Sequence, residues 1–405
     1  MAKFKCKKFV FLIFFVLSLN FLFSIIPFFN PSISYYSYAS LDDINYINEN
    51  KLMGDFYSLS LDKNCVYADN NLLKVNVKFL NLITINSFYV KTVEESVYAG
   101  GNAVGVYLNT KGVMLMGSNS IITKNGLVNT LENSDLQVGD VIMKLNDEVI
   151  YNIDDISEII NREENKGNSV KITYLRNNKE YETSLMPALD EQSGEYKLGI
   201  WVKNDASGVG TLTFITKEGE FGALGHSINV SGTKSAYNIA GGKLYACNII
   251  GVNKGQKGRA GELKGLFLQG KNIQGEITQN IQTGIYGKIG ENSSLLEDAK
   301  TREYKIGGRF SARPGKAKIL SCVSGNEVKE YDIEIVKTNY QNSSKEKSMV
   351  IKVTDKELLD KTGGIVQGMS GSPIVQNGKI VGAVTHVFIN DSSKGFGLYL
   401  DWMID

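Results

Sequence analysis

Hydrophobic positions divide the 405-residue chain into stretches of different texture. Phe9 to Phe29 is a run of 21 residues without charge, interrupted only by Ser18, Asn20, Ser24 and Pro27 and preceded by Lys3, Lys5, Lys7 and Lys8. At about 1.5 Å per residue such a run can cross a hydrocarbon core of about 30 Å. The lysines predict a cytoplasmic tip, so residues 1–29 are expected to be a basic tip and a transmembrane signal anchor. Ser37-Tyr38-Ala39 lies too far beyond the run to serve as a cleavage site, so the anchor is expected to be retained. Residues 30 to about 60 are rich in Ser, Asn and Tyr without periodicity and read as an exposed stalk. From Asn71 to Ser87 apolar and polar residues alternate at period two, which predicts strands; residues 30–90 are thus a stalk with leading strands.

Residues 95–190 carry a different pattern. Gly139 and Asp140 make a tight turn before the strand Val141 to Leu145, and a helix is predicted over Asp154 to Glu163 with Ile153, Ile156, Ile159 and Ile160 on one face. GNSVKITYLRNNK then reads as a strand and turn. Beyond residue 200, VGTLTFIT, SPIVQ and KIVGAVTHVF read as strands, and Asn377-Gly378 is a two-residue hairpin signal. The expected fold is mainly β with minor α.

Composition narrows the function. Forty-four Lys and Arg against 43 Asp and Glu give a net charge of +1, scattered along the chain, so nucleic acid is not an expected partner. The 41 Gly and 5 Pro suit a turn-rich β architecture, and the length allows two or three domains. Cysteines at 6, 65, 247 and 322 form no CxxC pair, and the two histidines are 160 residues apart, so no metal site and no cofactor are expected. Cys247 and Cys322 read as buried thiols, with a disulfide between them as the alternative.

The segment Gly368-Met369-Ser370-Gly371-Ser372-Pro373 lies between two apolar runs, with glycines on both sides of Ser370 that allow a tight bend and close approach of a substrate backbone. A serine hydroxyl needs a neighbour to take its proton, and imidazole titrates near neutral pH. His226 sits in a Gly-bracketed turn after an apolar run, where site residues collect. His386 shares a strand face with Val384 and Phe388 and reads as a core histidine. His226 is therefore the expected general base, and Ser370 rather than Ser372 the nucleophile. The third member should be a carboxylate that orients the imidazole, and spacing leaves it open among 43 acidic residues. Asp355 opens Thr354-Asp355-Lys356-Glu357, a pattern that equally caps a helix.

Three resemblances rest on these residues. L-Q-V-G-D-V-I-x-x-L-N-x-x-x-I, running from Leu136 to Ile150 and followed by the helix, resembles a bacterial PDZ domain over residues 95–190. That likeness implies a groove in which an extended peptide adds to a strand near Ala103 to Leu108, with Gly105 and Val106 in the loop that receives a terminal carboxylate. G-x-S-G-x-P followed by a hairpin resembles the nucleophile loop of chymotrypsin-like peptidases. There the amides of the serine and of the residue two before it form the oxyanion hole, here Ser370 and Gly368. Over residues 200–405, FGALGHSI, the glycine-rich middle, VTDKELLDKTGGIVQGMSGSPIV and GFGLYLDWM are similar to the SpoIVB family, the stage IV sporulation serine peptidases, whose order of anchor, PDZ and peptidase domain also agrees.

The likeness to that family implies Ser370 as nucleophile, His226 as base and Asp355 as orienting acid, with Asp360 and Asp332 as fallbacks, and a β-barrel-type peptidase domain over 200–405. It departs after His226, where SINVSGT replaces an acidic turn. It further implies a single-pass membrane protein whose catalytic domain faces the space between forespore and mother cell, or is released there by cleavage. The implied action is cutting a membrane-bound regulator of an intramembrane protease, which leads to processing of pro-sigma factor K, and cutting itself. Expected partners are a protein or peptide substrate, a PDZ peptide ligand and the membrane. The rival reading is a catalytically silent PDZ scaffold; a non-proteolytic serine hydrolase is disfavoured because no nucleophile elbow is present.

Overall fold

The computed structural model describes residues 36–39, 41–50, 56–67, 72–91, 95–132, 134–176, 179–229, 236, 239–339 and 347–404. Among them strands dominate and the few helices are short, as expected. Two strands of 16 residues organise the molecule, Ala103–Ser118 and Ile200–Ile215. They run antiparallel from Thr211 opposite Ala103 to Ile200 opposite Ser118, with irregularities at Trp201/Val202 and Lys203/Asp205.

The two ends of this ribbon serve different units. At one end, Val113 and Met114 pair with Ile142 and Val141, and the strands Val141–Leu145, Val170–Arg176 and Lys179–Leu185 continue the sheet. The helix Ile153–Ile160 packs Ile156, Ile159 and Ile160 onto it, in a core with Ile142, Leu145 and Ile172. It starts where Asn152 accepts from the Asp155 N–H and Asp155 accepts from the Asn152 N–H, each at 3.1 Å, a capping box that satisfies two otherwise orphaned donors. The expected turn at Gly139 holds because Asp140, buried, takes both the Nε and Nη2 of Arg176 at 2.7 Å and the Gln137 N–H at 2.7 Å.

At the other end, residues 103–109 lie between the Ile200–Ile215 strand and the strand Ile239–Ala246. Two apolar cores form here, one around Leu212, Phe221, Leu244 and Ile285, the other around Ile319, Ile351, Ile374 and Leu398. The hairpin read from Asn377-Gly378 joins Pro373–Gln376 to Lys379–Phe388, with φ of 52° and 74° at the two turn residues.

The expected stalk is corrected by residues 36–50. Tyr36–Tyr38 pairs with Ile83–Lys91 at the edge of a four-stranded sheet completed by Tyr57–Tyr67 and Leu72–Phe79, and the segment Leu41–Glu49 is a helix. Its Ile44 and Ile47, one helical turn apart, are buried with Val75, Val77 and Val90. Asp43, also buried, meets Arg313 at 2.6 Å, Lys379 at 2.9 Å and the Ser311 hydroxyl at 2.9 Å, which ties this unit to the C-terminal core. A buried carboxylate is tolerable because two cations and a hydroxyl replace its water. The polar composition of the segment hid this one-sided burial.

The expected localisation is corrected as well. Among the described residues no helix is long and apolar enough to cross a membrane, and the run 9–29 that carried the expectation lies outside them. Cys247 and Cys322 are free and buried; burial, then the neighbouring Cys322, pushes the Cys247 thiol up to about 11.

Candidate active site

The loop Gln367 to Ser372 connects the region of the helix Lys356–Thr362 to the strand Pro373–Gln376. Nearly every peptide group in it is fixed. The carbonyls of Gln367, Met369 and Ser370 accept from the N–H groups of Leu263, Ser372 and Thr211 at 2.9, 3.0 and 2.9 Å. Those of Gly368 and Gly371 accept from the hydroxyls of Thr211 and Thr213, both at 2.8 Å. On the donor side, Gln367 bonds Gly261, Met369 bonds Val366, and Gly371 bonds Val384. Two N–H groups of the loop, those of Gly368 and Ser370, donate to no acceptor among the described residues. These are the two amides expected to form an oxyanion hole. Glycine is required on both sides of Ser370: φ is 95° at Gly368 and 96° at Gly371, and a Cβ at Gly371 would stand 2.1 Å from the Thr211 carbonyl oxygen.

The Ser370 hydroxyl, half-buried, donates to the Thr385 carbonyl at 2.7 Å. His226 follows Leu224 and Gly225, at φ 69° and 70°, in a turn closed by the Gly225 N–H on the Ala223 carbonyl at 2.9 Å. A leucine in the left-handed region costs of order 1–3 kcal/mol, and the Leu224 N–H bond to the Thr211 carbonyl at 3.1 Å helps to hold it there. His226 Nδ1 lies 2.8 Å from the Ser227 carbonyl oxygen. A carbonyl can only accept, so in the neutral ring Nδ1 carries the proton and Nε2 keeps its lone pair, the tautomer a general base needs.

His386, read from the sequence as a core residue, is half-buried on the strand beside Thr385, with its ring centroid 5.1 Å from that of His226. Burial, then His226 and Lys347, lower its pKa to about 4, so it is neutral at physiological pH. Nothing in a separation of 160 residues indicates that the two histidines lie side by side.

Asp355 makes no hydrogen bond or ion pair with His226. Its Oδ1 accepts from the Leu358 N–H at 2.9 Å as the N-cap of the helix Lys356–Thr362, and its Oδ2 accepts from the Asp332 N–H at 3.3 Å. The position that an orienting acid would take at Nδ1 is filled by the Ser227 carbonyl. Asp332 and Asp360, the fallbacks, are exposed. The capping pattern in Thr354-Asp355-Lys356-Glu357 therefore describes this residue's contacts better than the triad does.

A fixed loop with two unused amides, a serine and a suitably protonated imidazole is equipment for acyl transfer. The family model of SpoIVB peptidase S55 matches residues 194–404, just over half of the chain. The chain belongs to the SpoIVB peptidase S55 family. It is a serine peptidase by that membership. Among solved structures it is similar to the PDZ domain of an SdrC-like protein from Listeria monocytogenes, at 19% identity over 23% of this chain and 87% of that one, with a TM-score of 0.19. It is also similar to the inactive form of the Rv3671c protease, at 14% identity over 47% of this chain and 78% of that one, with a TM-score of 0.27. No curated protein matches the chain.

The peptidase holds a second candidate site, away from where it was expected. Gly105 and Val106 are near the start of the Ala103–Ser118 strand, opposite Val209 and Gly208 on one side and Tyr245 and Leu244 on the other. Both edges are occupied, Val106 is fully buried, and a Cβ at Gly105 would stand 2.2 Å from the Phe267 ring. No peptide can add there, so the two residues are not a carboxylate loop. A cavity of about 450 Å³ lies instead between the helix Ile153–Ile160 and the start of the Ile200–Ile215 strand. Over Ile200 to Lys203 that strand pairs only with Ala103–Ser118 among the described residues, which leaves its other edge open. The N–H groups of Leu198 and Gly199, which line the cavity, donate to no acceptor among the described residues. Lys197, 2.5 Å from Asp190, lines it too. The signal was present as Leu198-Gly199-Ile200, an apolar residue and a glycine opening a strand. It is similar to Val104-Gly105-Val106, which comes earlier in the chain.

Proposed function

We propose that the peptidase is an endopeptidase in which Ser370 attacks the scissile carbonyl and His226 Nε2 takes its proton, returning it to the leaving amine. The Gly368 and Ser370 amides would hold the oxyanion. In the resting arrangement the serine proton points at the Thr385 carbonyl, so a rotation about the Ser370 side chain must precede attack. The Ser227 carbonyl supports this reading by fixing the imidazole tautomer that a carboxylate fixes elsewhere. The observation that carries the proposal is the pair of unused amides in an otherwise fully bonded loop.

The domain reading becomes a PDZ unit of residues 119–199 set between the two long strands of a peptidase domain that also draws on residues 96–109. Its open edge at Ile200 to Val202 would take the C-terminus of a peptide, with the Leu198 and Gly199 amides at the carboxylate. Membership of the SpoIVB family supports a finer function in sporulation signalling: cleavage of a protein regulator of an intramembrane protease, leading to pro-sigma factor K processing, and cleavage of its own chain.

The test is covalent labelling. Wild type should react with a fluorophosphonate and cleave a peptide library, while Ser370→Ala should do neither and His226→Gln should lose about 10³-fold or more in rate. Wild-type protein that is folded yet inert to both would return the reading to the silent scaffold.

A further inference from the structure

We infer that Thr211 is a positioning residue for the reaction, holding the nucleophile loop and the base-bearing turn in one geometry. The inference rests on the peptidase reading of Ser370 and His226. Thr211 is buried on the Ile200–Ile215 strand and uses three polar groups on the two catalytic segments. Its hydroxyl donates to the Gly368 carbonyl at 2.8 Å, its N–H donates to the Ser370 carbonyl at 2.9 Å, and its carbonyl accepts from the Leu224 N–H at 3.1 Å. The first two contacts fix the peptides on either side of the Met369–Ser370 unit; the third fixes the turn two residues before His226.

The backbone contacts would survive a substitution, and the hydroxyl would not. Gly368, at φ 95°, is one of the two glycines of this loop whose rotation no Cβ restricts. Its neighbouring peptide presents the Gly368 N–H, held by the Leu263 N–H on the Gln367 carbonyl. Its following peptide is held on the acceptor side by the Thr211 hydroxyl. Without that donor the Gly368 carbonyl is buried and unsatisfied, and rotation toward another donor turns the loop away from the arrangement that exposes both amides. The Thr213 hydroxyl acts one peptide beyond the serine, on Gly371, where rotation does not move the Gly368 N–H.

The experiment compares the full chain with Thr211→Ser, Thr211→Cys, Thr211→Val and Thr213→Val. It measures the rate of Ser370 labelling by a fluorophosphonate, kcat and KM on one cleaved peptide, and the urea midpoint of each. Labelling and kcat should fall by about 10-fold to 100-fold in Thr211→Val with KM nearly unchanged, since a small misplacement of oxyanion donors costs that much. Thr211→Ser should stay close to wild type, Thr211→Cys should fall between, and Thr213→Val should lose less than Thr211→Val. Rates that follow donor strength at residue 211 carry the inference even where Val lowers stability. Rates that follow the urea midpoints instead, or a folded Thr211→Val that labels like wild type, overturn it. A wild-type chain that does not label differs from both results and refutes the underlying peptidase reading.

Discussion

The two ends of the Ile200–Ile215 strand are built to opposite specifications. At its C-terminal end, Thr211 and Thr213 have their hydroxyls on the nucleophile loop, and Leu212 to Ile215 are flanked by further strands. At its N-terminal end, Ile200 to Lys203 have one edge bare and a cavity of about 450 Å³ beside it. Catalysis on an acyl group needs donors that cannot move, and in the proposed mechanism the bonded peptide groups of the loop hold the two unused amides in place. Recognition of a peptide strand needs the reverse, a row of backbone groups left unpaired until the ligand arrives. On the proposed reading one strand supplies both, and a distortion at Lys203/Asp205 separates them.

The groove end gives the largest separable effect. Gly199 has φ 58°, and a Cβ there would lie 2.5 Å from the Asn119 carbonyl oxygen. Gly199→Ala must therefore shift the backbone whose N–H faces the cavity. Affinity for a C-terminal peptide, read by fluorescence anisotropy, should fall about 10-fold or more, as expected for strain of 1–3 kcal/mol at such a position. Fluorophosphonate labelling of Ser370 should be unchanged. Unaltered peptide affinity would remove the groove from Leu198 to Val202.

What could be read from the sequence follows the same division. The nucleophile loop was legible because its requirements are local: two glycines, a serine and a hairpin signal occupy eleven consecutive residues from Gly368 to Gly378. The helix over residues 153–160 was legible from its isoleucine spacing. The groove was not, because which of two similar segments lies beside that helix depends on long-range pairing, Val113 with Ile142 and Ile200 with Ser118. The docking of residues 36–50 was invisible for the same reason: Asp43 finds Arg313 and Lys379 far along the chain. No periodicity encodes such a meeting.

At the catalytic end, His386 supplies a pH dependence. Its pKa is lower in the fold, at about 4, than the ordinary 6.5, because burial and the neighbouring His226 disfavour its charge. The unfolded chain takes up this proton as pH falls through 6.5, whereas the fold refuses it until about 4. Stability present above that window is therefore lost on acidification. With the ring still partly in contact with solvent, the loss between pH 7 and pH 5 is about 1 kcal/mol. The urea midpoint should fall accordingly in wild type and fall less in His386→Gln. Equal slopes in the two proteins would show that His386 is not desolvated beside His226.

The smallest effect falls on the residue whose role differs most between family likeness and geometry. Asp355 spends its carboxylate on the Leu358 and Asp332 N–H groups. As an N-cap, Asp and Asn are nearly equivalent, whereas Ala costs about 1 kcal/mol. Asp355→Asn, which keeps the cap on the Leu358 N–H but loses the longer contact to the Asp332 N–H, should thus unfold close to the wild-type urea concentration and Asp355→Ala earlier. The comparison separates cap from charge because Asn keeps the first and removes the second. Should Asp355→Asn keep full stability yet label Ser370 more slowly, the carboxylate would act on the imidazole in a state that displaces the Ser227 carbonyl from Nδ1. The catalytic end of the strand would then be less rigid than its hydrogen bonds imply, and the contrast with the open groove would be one of degree.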